Sequence, residues 1–166
     1  MKKEIHILLR MGELLYDIEN TTHLIGLSRV SGDNYGAVSN MQADDKTEVR
    51  NQILRFIDNA FKEIKITLNK FLCDTGSAAG DNSLIDGSSD LEMLLLMPEN
   101  YNPALRDTLN AAAHQYVVNK TIAEWFNITN KDDAAAYYTL AEGNKQQVLD
   151  ACSCWVGKVR RPKTPF

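Results

Sequence analysis

The sequence predicts a mainly α-helical fold, with a four-helix core of two helical hairpins and a small β-hairpin between the second and third helices. Two observations lead to this prediction. Apolar residues recur at steps of three and four along four segments, which lays one apolar stripe along each predicted helix. Residues 91–97 form an apolar run that ends at Pro98, which favours a strand. We therefore expect a single helical domain over residues 1–157, followed by a basic C-terminal tail over residues 158–166.

Composition and charge exclude several classes of protein. A length of 166 residues fits one domain with one core. Hydrophobic residues make up 44% and charged residues 24%, which excludes wholesale disorder. The net charge of -4 argues against duplex nucleic acid as the main partner. The apolar run over residues 5–9 is too short for a signal peptide, and no run is long enough to span a bilayer, so we expect a cytoplasmic location and no membrane partner.

The first helix is predicted over about residues 3–27, and residues 28–44 are predicted to form a loop rich in Gly and Asn. The stripe of the first helix consists of Leu8, Met11, Leu15, Ile18, Thr22 and Ile25. The second helix is predicted over about residues 45–72, and its inward face should bury Ile57, Phe61, Ile64 and Leu68. Glycines over residues 74–90 indicate a second loop, in which residues 83–86 are the nearest candidate partner for the strand 91–97.

The last two helices have clear start signals. Asn102 can cap the third helix, and Pro103 fits its first position, where no backbone donor is needed. A short connection over residues 127–130 leads into the fourth helix, which should continue to about residue 156. The short connection predicts that these two helices form an antiparallel hairpin.

No catalytic, cofactor-binding or metal-binding motif is present in the sequence. His6 and His23 both fall on the predicted first helix, seventeen residues apart, and His114 has no metal-binding partner at helical spacing. Glu124 and Glu142 are isolated carboxylates along the chain. Cys73, Cys152 and Cys154 are an odd number, and we expect them to be small core-filling residues. The sequence therefore predicts a protein that is not an enzyme and needs no cofactor.

Two segments are candidate interaction sites. Side chains of a strand alternate between its two faces, so one packed face cannot cover the leucines of residues 91–97. We expect a neighbouring subunit to cover the second face, through Leu91, Leu94 and Leu96. The tail carries Lys158, Arg160, Arg161 and Lys163, and it is either an arm that docks on an acidic partner or a phosphate backbone, or a solvated terminus.

The C-terminal half also resembles a known class of proteins. The run over residues 91–98 leads to Tyr101, Asn102 and Pro103. It is followed by Leu105, Leu109, residues 114–118, residues 123–126, residues 134–137 and a closing Arg160-Arg161-Pro162. This arrangement resembles small proteins encoded in tailed-phage and prophage structural modules of Bacteroidales-type bacteria. Such proteins look like head–tail connector or tail-completion proteins, which are helical subunits with a β-hairpin. The resemblance covers about residues 91–166 and extends only loosely over the N-terminal half.

The resemblance implies a ring-forming virion or assembly subunit without catalytic residues. We therefore expect a phage-type structural protein that forms homo-oligomers, binds other structural proteins, and resides in the virion if it derives from a phage. Nucleic acid is not expected as a partner, apart from a contact of the basic tail. Two alternatives stay open, namely a helical adaptor or regulator without a virion role, and an enzyme whose site is assembled only by the fold.

Overall fold

A computed structural model describes residues 2–74 and 80–157, and its architecture is mainly α-helical. The elements run in the order β1 (Lys3–Leu9), α1 (Met11–Ser28), α2 (Tyr35–Met41), α3 (Thr47–Thr67), β2 (Leu91–Met97), a short 3-10 helix (Pro103–Leu105), α4 (Arg106–Thr129) and α5 (Lys131–Cys152). The mainly helical class that the sequence predicts is confirmed. Within the described ranges, no helix combines the length and apolar character needed to cross a membrane.

Helix α4 lies at the centre of the helical layer. It forms a hairpin with α5, and α1 and α3 each pack against it. One of the two predicted helical hairpins is therefore present, whereas α1 and α3 pack on α4 instead of forming the other. The buried stripe of α3 follows the prediction, because Ile57, Phe61, Ile64 and Leu68 all lie in the core.

The start of the chain corrects the prediction of a helix over residues 3–27. Residues 3–9 form β1, and the helix begins only at Met11. Ile5, Ile7 and Leu9 are buried while the residues between them are exposed, which is the period of a strand and not of a helix. The helical stripe had included Leu8, which lies on the exposed side of β1. His6 consequently belongs to a strand, while His23 belongs to α1.

The predicted β-hairpin is also corrected. β2 pairs antiparallel with β1, with Ile5 opposite Leu95 and Ile7 opposite Met93, and residues 83–86 form no strand. Side chains in the loop bind their own backbone: the Ser83 amide donates to Asp81 Oδ1 over 2.9 Å, and the Ser88 amide donates to Asp86 Oδ1 over 3.1 Å. Such local bonds stabilise turns in competition with a strand ladder. A strand from the chain's N-terminus therefore takes the place of the predicted neighbour.

The loop predicted over residues 28–44 contains the short helix α2. Val38 and Met41 of α2 are buried, and the Trp125 indole Nε1 donates a hydrogen bond of 2.8 Å to the Met41 carbonyl. Side-chain packing against α4 thus fixes a helix that is too short to be stable alone. The predicted start of the third helix is confirmed in part, because the Asn102 side chain accepts from the Ala104 amide and caps the 3-10 turn that leads into α4.

Candidate interaction surface

β2 of the two-stranded sheet makes backbone contacts on both of its sides. β1 lies along one edge, and residues 71–73 lie along the other. The Leu96 amide donates to the Phe71 carbonyl over 2.7 Å, and the Cys73 amide donates to the Leu94 carbonyl over 2.9 Å. The sheet therefore has one closed edge at residues 71–73 and one outer strand, β1.

The two faces of the sheet differ in what covers them. The inner face is buried in the core and consists of Ile5, Ile7, Leu9, Leu91, Met93, Leu95 and Met97. The outer face consists of Glu4, His6 and Leu8 on β1, which are exposed, and of Glu92, Leu94 and Leu96 on β2. Leu94 and Leu96 are half-buried, and Leu8 is 39% exposed. This outer sheet face is a candidate interaction surface.

The leucines predicted to form an interface therefore lie on different faces of the sheet. Leu94 and Leu96 lie on the outer sheet face, but Leu91 packs into the subunit's own core. The reason is the alternation of a strand, which places odd-numbered residues of β2 inward and even-numbered residues outward. The tail residues Lys158, Arg160, Arg161 and Lys163 lie outside the described residues.

Helix α1 carries a second apolar face, which is exposed and was not predicted from the sequence. Tyr16, Leu24 and Leu27 are 63%, 55% and 53% exposed. At 3.6 residues per turn, their spacing places them within roughly 80° of one another, opposite the buried stripe of α1. These three apolar positions are visible in the sequence, but the stripe predicted for the core accounts for only one side of the helix and does not include them.

Three helices meet at a cluster of charged side chains, which corrects the description of Glu124 and Glu142 as isolated. Glu63 of α3 lies 3.4 Å from Lys120 Nζ of α4 and 3.9 Å from Lys145 Nζ of α5. Lys120 also pairs with Glu124 at 3.7 Å, and Lys145 pairs with Glu142 at 3.8 Å. Glu124 and Glu142 each have a lysine of their own helix within reach, and the fold adds Glu63 of α3 as a shared partner of both lysines.

Two of the four ion pairs of this cluster link different helices, and the other two lie within α4 and α5. Each of its three carboxylates lies within 4 Å of a lysine. The adjacent cleft, lined by Phe56, Asn59, Ala60, Glu63, Lys120 and Glu124, has a volume of about 170 Å³. Burial raises the pKa of the neighbouring Tyr116 hydroxyl, and the negative charge of Glu63 raises the pKa further. At neutral pH the tyrosine is therefore a neutral group, and the cluster ties α3 to the α4–α5 hairpin.

His114 and His23 each contact a residue from a different segment of the chain. His114 Nε2 lies 2.7 Å from Asp17 Oδ2, which ties α4 to α1. His23 Nδ1 lies 3.2 Å from Gln42 Oε1, beyond the end of α2. Within residues 2–74 and 80–157, no group of three His, Cys, Asp or Glu side chains is placed to hold a metal ion.

The three cysteines are free thiols in different surroundings. Cys152 is buried at the end of α5, and this burial raises the pKa of its thiol to about 12. Cys154 is exposed beyond the helix end. The core-filling role expected from the sequence thus applies to Cys152 and not to Cys154.

We expect iodoacetamide at pH 8 to modify Cys154 in the native protein and to leave Cys152 unmodified. The thiolate is the reactive form, and a thiol with a pKa of about 12 is almost wholly protonated at that pH. Peptide mass spectrometry after a time course measures both sites, and the same reaction in urea is the control in which both should react. Equal rates at the two sites in the native protein would contradict the burial of Cys152.

Comparison with known proteins gives no family for this chain. No protein-family model matches it, and neither the curated proteins nor the solved structures include a significant match. The functional assignment therefore depends on the surfaces described above.

Proposed function

We propose that this protein is a non-enzymatic structural or assembly subunit, of the kind encoded in phage and prophage structural modules, and that it works as a homo-oligomer. The observation that supports this proposal is the outer sheet face. Three leucines, Leu8, Leu94 and Leu96, lie there on a sheet whose opposite face is already filled by the subunit's own core.

The physical reason is that the two faces of the sheet are buried to different extents. The inner face is buried in the subunit's own core, whereas Leu8 of the outer sheet face is exposed and Leu94 and Leu96 are only half-buried. Full burial of a leucine side chain contributes about 1.5–3 kcal/mol, and Leu94 and Leu96 gain only part of this within the subunit. A second subunit that covers the outer sheet face supplies the rest. A closed ring or a dimer can use the same surface on every copy.

We expect the double variant Leu94→Lys/Leu96→Lys to have a lower mass in solution than the wild type while it keeps its helices. Two ammonium groups on the outer sheet face would have to be buried in the assembly, but they stay in water in the free subunit. Light scattering measures the mass, and circular dichroism of the same sample measures the helix content.

The matched control is Ile66→Lys/Leu140→Lys, which places the same charges at exposed apolar positions of α3 and α5. This control should keep the wild-type mass. An unchanged mass in the Leu94→Lys/Leu96→Lys variant would remove the outer sheet face from the interface. Unfolding of that variant alone would assign both leucines to the subunit's own core.

A second candidate function is a helical adaptor, which the exposed face of α1 favours. Tyr16, Leu24 and Leu27 form an apolar surface on a helix that is already packed on its other side. An adaptor predicts a monomer whose complex with the product of a flanking gene is lost in the Leu24→Lys/Leu27→Lys variant. The same complex should persist in the Leu94→Lys/Leu96→Lys variant, which separates the two functions.

A further inference from the structure

The backbone of β1 has a side that faces away from β2. On β2, Leu94 and Leu96 direct their backbone groups toward residues 71–73, as the hydrogen bonds to Phe71 and Cys73 require. Successive residues of an antiparallel strand direct these groups to opposite sides. Met93 and Leu95 therefore direct theirs toward β1, where the register places Ile7 and Ile5 opposite them.

It follows that Glu4, His6 and Leu8 direct their backbone N–H and C=O groups outward. These three residues are also the exposed residues of β1. Within residues 2–74 and 80–157, none of these outward groups has a hydrogen-bond partner. An open strand edge of this kind is a template for pairing with another chain. Lys3 holds the start of the strand in place, because its Nζ donates a hydrogen bond of 2.9 Å to the Tyr101 carbonyl.

The sequence of β1 is complementary to itself across a two-fold axis. Only registers that bring outward-directed residues opposite one another can form the ladder, so the register can shift only in steps of two residues. With the axis at Ile5, Glu4 of each copy lies opposite His6 of the other, so a carboxylate meets an imidazole twice. With the axis at His6, the two imidazoles meet each other and Glu4 meets Leu8. Opposite charges and hydrogen-bonding pairs across strands are favourable, so the axis at Ile5 is the better register.

We propose that two copies of this chain join by antiparallel pairing of their β1 strands about Ile5, with Glu4 of each copy opposite His6 of the other. This inference rests on the proposed self-association and specifies one contact within it. Pairing makes a single sheet in which the outer faces of both copies are continuous. Leu8, Leu94 and Leu96 of the two copies then lie on one surface, which a further pair of copies can cover.

His6→Pro tests the strand pairing directly. Proline at position 6 removes an N–H that points outward, so the ladder between β1 and β2 keeps its hydrogen bonds, and proline is tolerated on edge strands. By symmetry two hydrogen bonds are lost per pair, and we expect the dissociation constant to rise by about 10- to 100-fold. His6→Ala is the control for the side chain, because it keeps the N–H and should have the smaller effect. Sedimentation equilibrium measures both constants.

A charge exchange tests the register. His6→Glu places two carboxylates opposite each other twice, and Glu4→His does the same with two imidazoles. We expect His6→Glu to weaken association by about tenfold, and the double variant Glu4→His/His6→Glu to return it to within about threefold of wild type. The charge exchange leaves the backbone of β1 able to pair. It therefore tests whether the two β1 strands pair in this register even if His6→Pro fails to fold.

The outcomes separate this inference from the function on which it rests. A wild-type monomer at high micromolar concentration overturns both. A wild-type oligomer that Leu94→Lys/Leu96→Lys reduces in mass, but whose dissociation constant His6→Pro and His6→Glu leave unchanged, overturns the strand pairing alone. His6→Pro could weaken association while the double variant Glu4→His/His6→Glu fails to restore the affinity that His6→Glu loses. In that case the register about Ile5 is wrong. Recovery in the double exchange supports the pairing as described.

Discussion

Phe61→Ala should lower the free energy of unfolding by about 3–5 kcal/mol, the usual range for a buried aromatic side chain. Phe61 is 4% exposed in the middle of α3, and it belongs to the same cluster as the buried residues of α4 and the sheet. The substitution leaves a cavity that the surrounding helices and strands can fill only in part. Urea denaturation at a fixed protein concentration measures the change, since the stability of an oligomer depends on concentration.

The control on the same helix is Ile66→Ala, at a position that is 70% exposed. It should change the free energy of unfolding by less than about 0.5 kcal/mol, as is usual for surface sites. A loss below about 1 kcal/mol in Phe61→Ala would show that this face of α3 does not form the core.

Ile7→Ala should lower the free energy of unfolding by about 2–4 kcal/mol, and Leu8→Ala by less than about 1 kcal/mol. Ile7 is buried on the inner face of the sheet opposite Met93, and Leu8 lies on the outer sheet face. The comparison is sharp because the residues are neighbours of similar volume. It should be made at a concentration where the protein is monomeric, so that contacts between subunits do not add to the effect of Leu8.

This pair of variants also distinguishes a strand from the helix that the sequence predicts for residues 3–27. In that helix Leu8 belongs to the apolar stripe, so its loss would be the costly one. A larger effect of Leu8→Ala than of Ile7→Ala would therefore contradict β1 and restore the helical assignment.

The helical part of the fold could be predicted because its signals are local. Ile57, Phe61 and Ile64 recur at steps of three and four within α3 and Leu68 caps its end, so one helix places all four in the core, as predicted. The start of the third helix depends on Asn102 and its immediate neighbours, which is why it could be recognised from the residues alone.

The sheet could not be predicted in the same way, because its pairing is not local. β1 is seven residues long, and its alternating Ile5, Ile7 and Leu9 run directly into the stripe of α1. A period of two over so few residues is hard to separate from a longer helical pattern that follows at once. The partner of β2 lies more than eighty residues away in sequence, and no turn signal can point to it.

The faces of β2 could not be assigned from the sequence for the same reason. Alternation predicts that its leucines lie on two faces, but only the pairing with β1 shows that Leu91 points inward while Leu94 and Leu96 point outward. Glu4, His6 and Leu8 were missed because they belong to the strand taken for a helix. The cluster of Glu63, Lys120 and Lys145 was missed because its members lie on three helices, and only tertiary packing brings them together.

The mass of the wild-type protein in solution tests self-association most directly. Multi-angle light scattering from low to high micromolar concentration should give at least twice the subunit mass of 18.6 kDa at the upper end. The same series on the Leu94→Lys/Leu96→Lys variant should give a smaller mass with unchanged helix content. A wild-type mass of 18.6 kDa over the whole range would contradict the proposal that this protein is an oligomeric structural subunit.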